Sequence, residues 1–282
     1  MYNAGLILEG GGMRGVYTAG VLDAFLENDV EFSSVYGVSA GSCQACSYLT
    51  KQKGRGVRTV VNYVNDPEYC SVKSLVKTGD MFGVDFCYSK IPYVLDPVDS
   101  AAFQDYKGKF YAVLTNLETG EAEYIRVKDM EKQIWAVRAS SSLPLLSRTI
   151  IAKGRPFLDG GVADPIPLKR SIATGNKKNV VILTRDASYR KESNPLVPIM
   201  KLRYKKYPNF VDRMADRHIR YNETLDYLND LEEKGEVFVI RPQYPVEVDR
   251  LEKDKDKLMV LYNQGLEEGR AAIAAMREYL EK

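Results

Sequence analysis

The pentapeptide Gly37-Val38-Ser39-Ala40-Gly41 constrains the fold of this chain more than any other segment of the sequence. In the pattern G-x-S-x-G, a strand ends in a sharp turn that exposes the serine hydroxyl, and a helix begins directly after the turn. The flanking residues fit this pattern, because Ser34-Val35-Tyr36 is typical of a strand and residues 42–49 are typical of a helix. Ser39 is therefore a candidate nucleophile. We expect the two glycines of the motif to permit the crowded turn, because they have no side chain.

A serine hydroxyl needs a neighbouring base to take its proton, and that base is most often a histidine. The chain has a single histidine, His218, in the charged and helix-like stretch from Arg213 to Arg220. Side chains in such a stretch are mostly exposed. We therefore expect His218 on a solvated surface, which leaves the base to be found elsewhere.

The glycine-rich run Gly10-Gly11-Gly12-Met13-Arg14-Gly15 follows the predicted first strand and opens the first helix. Backbone amides at such a helix start favour negative charge, so the run predicts an oxyanion hole. The same letters fit the dinucleotide-binding pattern, which requires an acidic residue about 20 positions on, at the end of a second strand. Glu31 has that spacing but precedes its strand. An oxyanion hole is favoured, and a dinucleotide site or a plain tight turn remains open.

Asp159-Gly160-Gly161 ends an apolar run and places a carboxylate on a turn. Taken alone, an aspartate at such a position more often caps a turn than performs chemistry. As a partner for a serine it is nevertheless the first choice among the carboxylates, followed by Asp186 and then Asp164.

The composition is ordinary for a globular protein, with 282 residues, 45% hydrophobic residues and a net charge of +2. This charge gives no general attraction to nucleic acid, and we expect none as a partner. The chain starts on an apolar run without a secretory leader, and no apolar stretch reaches the roughly 18 residues that span a bilayer. The sequence therefore predicts a cytoplasmic protein.

The four cysteines include the pair Cys43 and Cys46, whose spacing invites a metal or redox interpretation. Zinc would require two more well-spaced ligands, and Cys70 and Cys87 form no second close pair. We expect Cys43 and Cys46 to be small buried residues on a helix, and we expect no metal.

Strands alternate with helices along the chain, which predicts an α/β fold with a mainly parallel sheet covered on both faces. Residues 51–105 are mixed and broken by proline and glycine. We expect one domain over residues 1–282, with a core at about 5–185 and a lid-like helical segment, a late strand and a C-terminal helix in 186–282. The predicted strands are residues 4–8, 34–36, 110–115, 122–127, 180–184 and 237–240, and the predicted helices are 16–27, 42–49, 130–140 and 266–280.

Three blocks resemble, in this order, the signatures of patatin-like phospholipases. They are the glycine run, the serine pentapeptide and Asp159-Gly160-Gly161. Ala139-Ser140-Ser141-Ser142-Leu143-Pro144 and Asp164-Pro165-Ile166-Pro167 are similar to that family as well. The aromatic segment from Asp80 to Pro97 resembles its bacterial branch of uncharacterised esterases.

The resemblance implies a three-layer α/β/α fold and a Ser–Asp dyad without histidine. Carried over by position, Ser39 is the nucleophile, Asp159 is the base, and the amides of the Gly10–Gly15 loop form the oxyanion hole; no cofactor is implied. Glu9 stands where the family often has aspartate. We expect this difference to matter little, because the loop acts through its backbone.

The function expected from these residues is hydrolysis of lipid carboxylic esters through an acyl-enzyme. A nucleotide-binding protein that uses the Gly10–Gly15 loop and a non-catalytic lipid-binding protein are the alternatives. Arg14 either binds a substrate phosphate or, as we favour, forms an ion pair that fixes the loop. The basic and aromatic segment Lys201–Phe210 is either a solvated helix face, which we favour, or a peripheral contact with anionic lipid. The oligomeric state is left open.

Overall fold

A mixed, mostly parallel sheet of eight strands forms the middle layer of the structure, a computed structural model that describes residues 1–282. The order across the sheet is β5-β6-β3-β2-β1-β7-β8, and β4 also pairs with β3. Strands β1, β2, β3, β7 and β8 run parallel, whereas β4, β5 and β6 pair antiparallel with their neighbours. The strands are β1 (Tyr2–Leu8), β2 (Phe32–Val38), β3 (Lys109–Asn116), β4 (Ala122–Val127), β5 (Ile150–Ala152), β6 (Arg155–Asp159), β7 (Asn179–Ile182) and β8 (Phe238–Ile240).

Helices cover the sheet, and the predicted α/β class with a mainly parallel sheet is confirmed. They are α1 (Gly15–Glu27), α2 (Ala40–Leu49), α3 (Arg55–Val61), α4 (Val72–Thr78), α5 (Ser100–Asp105), α6 (Met130–Ser140), α7 (Leu168–Ala173), α8 (Val197–Arg203), α9 (Pro208–Ala215), α10 (Arg217–Glu233) and α11 (Lys255–Glu281). Short 3₁₀ turns lie at Gly12–Arg14 and Gly160–Val162, and a π-helical segment lies at Phe86–Leu95.

Alternate residues of the central strands belong to different apolar clusters, because successive side chains of a strand point to opposite faces. Leu6 and Leu8 pack in a large cluster with residues of α1, α2 and α11. Ile7 packs in a second cluster with Tyr221, Leu228 and other residues of α10. The sheet is therefore buried on both faces, which explains the apolar runs in its parallel strands.

The carboxyl ends of the central strands meet at one edge of the sheet. Leu8, the last residue of β1, is in register with Gly37 of β2 and with Ile182 of β7. In open α/β sheets, this edge is where ligands bind. The glycine run, the serine pentapeptide and the segment after β7 are therefore brought to the same place.

The predicted strands and helices are all present, with ends shifted by a few residues, except that the C-terminal helix is longer than expected and begins at Lys255. Residues 51–105 contain three short helices and the π-helical segment. Further helices fill the segment that we expected to be lid-like, namely α8, α9 and α10. No helix is both long and apolar enough to cross a bilayer.

The C-terminal part of the chain is integral to the layers. β8 extends the sheet by pairing with β7, and α11 packs along α1. The contact is close because Gly20 and Gly265 lie in it, where a Cβ on Gly265 would approach the Tyr17 carbonyl oxygen to 2.2 Å. Ion pairs from Arg270 to Glu27 add to this contact.

Candidate active site

Ser39 lies on a strained turn between β2 and α2. Its φ of 53° and ψ of −123° put a residue with a side chain into a region that favours glycine. The flanking glycines permit the turn: a Cβ on Gly41 would approach the Leu8 carbonyl oxygen to 2.4 Å, and one on Gly37 would approach Ser42 Cα to 2.6 Å. This is the strand–turn–helix geometry that the pentapeptide predicts.

Three consecutive serines at the end of α6 brace this turn. Ser140 Oγ accepts a hydrogen bond from the Ser39 amide at 2.9 Å, and Ser141 Oγ donates to the Ser39 carbonyl oxygen at 3.1 Å. The Ser142 carbonyl oxygen accepts from the Asp159 amide at 2.8 Å. One short segment therefore fixes both Ser39 and Asp159.

Ser39 Oγ donates a hydrogen bond to Asp159 Oδ2 at 2.6 Å, and both residues are buried. The sheet register explains why they meet, because Val38 is aligned with Val113 on β3 while Asp159 is aligned with the next residue, Leu114. The other carboxylate oxygen, Asp159 Oδ1, accepts from the Gly161 amide at 2.8 Å. Gly160 lies directly against β3, where a Cβ would approach the Val113 carbonyl oxygen to 2.0 Å.

The charge state of Asp159 is set by opposing effects. Burial raises the pKa of this carboxyl above its ordinary value. The hydrogen bonds from Ser39 and Gly161 and the nearby cations Arg217 and Arg250 lower the pKa and oppose the rise. The net direction is upward, so Asp159 is a stronger proton acceptor than an exposed aspartate.

The glycine run passes next to Ser39, and its amide groups differ in their bonding. A Cβ on Gly10 would lie 2.7 Å from Ser39 Cβ, so the loop backbone touches the serine. The Met13 amide donates to the Arg250 carbonyl oxygen, and the Gly15 amide closes the turn on Gly12 and Met13. The amides of Gly10 and Gly11 make no hydrogen bond within the protein.

Glu9 has a larger structural role than we expected. Its carboxylate is buried and accepts from the Tyr221 hydroxyl at 2.5 Å, the Thr184 amide at 2.7 Å and the Thr184 hydroxyl at 3.1 Å. The side chain joins the start of the glycine run to the end of β7 and to α10, so glutamate at this position acts through its carboxylate as well as through the loop backbone.

The other candidate acidic residues do not contact Ser39. Asp164 accepts from the Tyr124 hydroxyl at 2.6 Å, and Asp186 accepts from the Ser188 amide, so neither carboxylate contacts Ser39. Glu31 forms an ion pair with Lys51 before β2, at the opposite end of the strand from the glycine run. This placement argues against a dinucleotide site, which needs an acidic group where Ser39 stands.

His218 is not on a solvated surface, and that prediction was wrong. It is half-buried near the start of α10, and its Nδ1 is buried without a hydrogen-bond partner. The apolar face of α10 packs on the sheet, and the start of this helix therefore lies beside a cavity that Ser39 also lines. His218 makes no hydrogen bond with Ser39 or Asp159.

Two cavities meet at Ser39. An apolar cavity of about 170 Å³ lies between α2, α6 and the π-helical segment. A larger chamber of about 780 Å³ holds Asp159 and the glycine run. Gly12, Ser39 and Leu143 line both. Ser39 therefore stands at the boundary between an apolar and a polar compartment.

Three of the four cysteines lie beside the apolar cavity. Cys43 and Cys46 lie on α2 as predicted, and Cys46 is buried and Cys43 half-buried. Together with Cys87 they line the apolar cavity, and burial raises the pKa of these thiols.

Sequence reasoning missed the residues that support the site from a distance. The serine brace, Ser140 to Ser142, was noticed only as a family resemblance. Arg217 Nε donates to the Gly161 carbonyl oxygen at 2.6 Å, and no local pattern around Arg217 points to this contact.

Arg14 forms no ion pair, so our favoured prediction for this residue was wrong.

The fold and site describe an α/β protein with a buried serine on a strand-to-helix turn, hydrogen-bonded to an aspartate. Residues 6–171 match the patatin-like phospholipases, and the chain belongs to that family. The resemblance expected from the three blocks is confirmed, and the family is one of ester-bond hydrolases. Residues 207–281 match a second family, described as a domain of unknown function, DUF6363.

The chain is also similar to individual proteins. "Uncharacterized protein YjjU" of Escherichia coli K12 is 31% identical over 187 residues, which are 64% of this chain and 51% of that protein. "Lysophospholipase nte1" of Aspergillus fumigatus is 28% identical over 172 residues, which are 57% of this chain and 10% of that protein. The crystal structure of VipD from Legionella pneumophila aligns with a TM-score of 0.48 and 14% identity, over all of this chain and 67% of that one. The chain thus spans about half the length of YjjU and about a tenth of nte1.

We expect Glu9→Asp to lower the free energy of unfolding by about 1–3 kcal/mol, because the shorter side chain leaves the buried Tyr221 hydroxyl without its acceptor. Urea unfolding followed by circular dichroism measures the change. Glu31→Asp, at a surface ion pair, is the matched control and should stay within about 0.5 kcal/mol of the parent. Equal stability of both variants would contradict the role assigned to Glu9.

Proposed function

We propose that this chain is a serine hydrolase that cleaves carboxylic esters of lipids through a Ser39–Asp159 dyad and an acyl-enzyme. The observation that carries the proposal is the 2.6 Å hydrogen bond from Ser39 Oγ to Asp159 Oδ2 at a strained turn where an apolar cavity opens. Family membership supports the reaction class. The volume of the apolar cavity is similar to that of a cavity of about 150 Å³ that holds one benzene, which suits a single acyl chain of modest length.

The reaction begins when Asp159 accepts the Ser39 proton and Ser39 Oγ attacks the ester carbonyl carbon. The amides of Gly10 and Gly11, which have no other partner, are the donors that we assign to the resulting oxyanion. Each such donor is worth about 100- to 1,000-fold in rate. Collapse of the intermediate breaks the ester bond, and the leaving alcohol takes the proton from Asp159. Water then attacks the acyl-enzyme, with Asp159 again accepting a proton, and Ser39 is released.

The arrangement also favours catalysis over the alternative of a non-catalytic lipid-binding protein. A binding protein has no need for a residue with a side chain in the left-handed region at Ser39, since such a conformation costs about 1–3 kcal/mol. We propose that the dyad works without a cofactor. We also propose one domain over residues 1–282, because β8 and α11 complete the layers that hold the site.

We expect Ser39→Ala to abolish ester hydrolysis and fluorophosphonate labelling, and Asp159→Asn to lower kcat/KM by about 100- to 10,000-fold, since the amide cannot accept the serine proton. Hydrolysis of a 4-nitrophenyl ester and peptide mapping of the label provide the measurements. Asp164→Asn changes a half-buried carboxylate that does not contact Ser39 and should retain activity. Full activity of Ser39→Ala would overturn the proposal.

The pH profile tests the identity of the base. Asp159 acts as the carboxylate, so kcat/KM should fall as the pH falls through its pKa, which lies above the ordinary aspartate value of about 4. We expect one acid limb, measured on an uncharged ester. His218→Asn should leave this limb in place, because His218 makes no hydrogen bond with the dyad. Loss or displacement of the limb in that variant would assign the base to histidine.

A peripheral contact with anionic lipid is the second part of the proposal. The aromatic residues Tyr204 and Phe210 of the basic segment are buried in an apolar cluster, so they form neither the solvated helix face that we favoured nor the alternative lipid contact. The exposed apolar residues are instead Leu196, Ile199 and Leu202, spaced by three along α8. Exposed cations flank them, namely Lys201, Arg203, Lys205 and Lys206. An apolar ridge among cations suits the surface of an anionic membrane, on the cytoplasmic side that the free cysteines favour.

We expect the protein to co-sediment with vesicles that contain phosphatidylglycerol and to be released by salt. Each lysine near such a surface contributes about 1 kcal/mol, so Lys205→Gln with Lys206→Gln should weaken partitioning by roughly tenfold or more. Leu202→Ser should weaken it as well, whereas Val260→Ser, at an exposed position on α11, should not. Binding that is equal on neutral vesicles, or independent of salt, would contradict the contact.

A further inference from the structure

The chamber beside Ser39 carries a surplus of positive charge. The cations that line it come from distant parts of the chain, and none has a carboxylate oxygen within 4 Å: Arg14, Arg185, Lys191, Arg217 and Arg250. A further cation at the rim, Arg190, is paired with Asp226. Ion pairs are common elsewhere on the surface, so five uncompensated cations around one chamber set it apart.

Two of these cations have a buried nitrogen without a hydrogen-bond partner. Arg14 is 6% exposed, lines the chamber, and has a buried Nε with no hydrogen-bond partner. Arg185 Nε is likewise buried and unpartnered. Burial of an unpaired charge costs free energy, and a bound anion would offset that cost.

The cations also repel one another. Burial and the neighbouring Arg217 and Arg250 lower the pKa of Lys191 to about 7. Burial and the neighbouring Arg185 and Arg250 lower the pKa of Arg14 to about 10. An anion bound between these groups would relieve this repulsion.

The two carboxylates inside the chamber, Glu9 and Asp159, offset only part of the charge of the five cations. Glu9 is engaged by Tyr221 and Thr184, and Asp159 is engaged by Ser39 and Gly161. Glu192 is exposed at the rim. The chamber therefore presents cations to whatever lies beside Ser39.

A positively charged headgroup would find no suitable partner here. Aromatic faces are the usual site for a quaternary ammonium group. In the chamber, Lys191 lies 4.4 Å from the Tyr221 ring centroid, and Arg185 lies 4.7 Å from the Tyr189 ring centroid, so these faces are already covered by cations.

We propose that the chamber binds an anionic phosphoryl group on the alcohol part of the ester, so that the substrate is a single-chain acyl ester of a phosphorylated alcohol without an amine. The proposal rests on the function proposed above. The acyl chain occupies the apolar cavity, the carbonyl lies at Ser39, and the phosphoryl group lies among the five cations. Arginine suits this role, because its planar fork binds phosphate oxygens in pairs.

The test compares three soluble esters with the same octanoyl chain: octanoyl glycerol 3-phosphate, octanoyl glycerophosphocholine and octanoyl glycerol. We expect kcat/KM to be at least tenfold higher for the phosphate monoester than for either other ester. The quantity to follow is this selectivity ratio. A merely structural defect lowers all three rates alike and leaves the ratio unchanged.

Lys191→Gln and Arg185→Gln should each lower the ratio by about tenfold, as expected for loss of one charge-assisted hydrogen bond. Lys177→Gln is the matched control, because this exposed lysine lies before β7, at the opposite end of the strand from the chamber. A ratio near one in the parent, or a ratio unchanged in both chamber variants, would overturn the inference.

Binding to Ser39→Ala by calorimetry separates this inference from the proposed function and distinguishes a headgroup from free phosphate. We expect octyl phosphate to bind more tightly than octyl phosphocholine and than inorganic phosphate, and to bind more weakly when Lys191→Gln is added. Inorganic phosphate bound as tightly as octyl phosphate would make the chamber a free-phosphate site and overturn the headgroup assignment. If no ester is cleaved and Ser39 is not labelled, the proposed function fails, while the binding result still decides the chamber.

Discussion

The positive φ of Ser39 is the constraint on which the site depends, because it holds a hydroxyl in a conformation that the chain would otherwise avoid. Close backbone contact at Gly41 and the hydrogen bonds from the serine brace hold the turn from both sides. The strain is thus compensated by the sheet and by α6, and the hydroxyl is left with Asp159 as its acceptor.

The Glu9 carboxylate connects this centre to the rest of the molecule. It lies at the end of β1, directly before the glycine run, and binds Thr184 after β7 and Tyr221 on α10. The glycine run beside Ser39 and the elements that carry the chamber are therefore joined through one buried side chain.

Local patterns were sufficient to predict the α/β class, the strand–turn–helix at Ser39 and the placement of Asp159 at a strand end. These features depend on neighbours within a few residues, on apolar runs and on glycines. The position of His218 could not be predicted, because it depends on how α10 docks on the sheet. The same holds for the chamber, whose cations Arg14, Lys191 and Arg250 converge only when distant segments meet. Charged positions in an isolated stretch look solvated, and tertiary packing decides otherwise.

The cations and the proposed dyad act on one another. Burial raises the pKa of Asp159 and makes it a better proton acceptor, while the hydrogen bonds from Ser39 and Gly161 and the cations Arg217 and Arg250 limit that rise. Without these cations, the pKa of Asp159 would rise further, and the carboxyl would be less able to act as the base that we propose. The same positive field would stabilise the oxyanion that we propose at the glycine run. In the proposed mechanism, this one group of residues therefore favours an ionised base, the developing negative charge and an anionic leaving group. A substrate with a cationic headgroup would forfeit the last of these and would add positive charge beside Asp159.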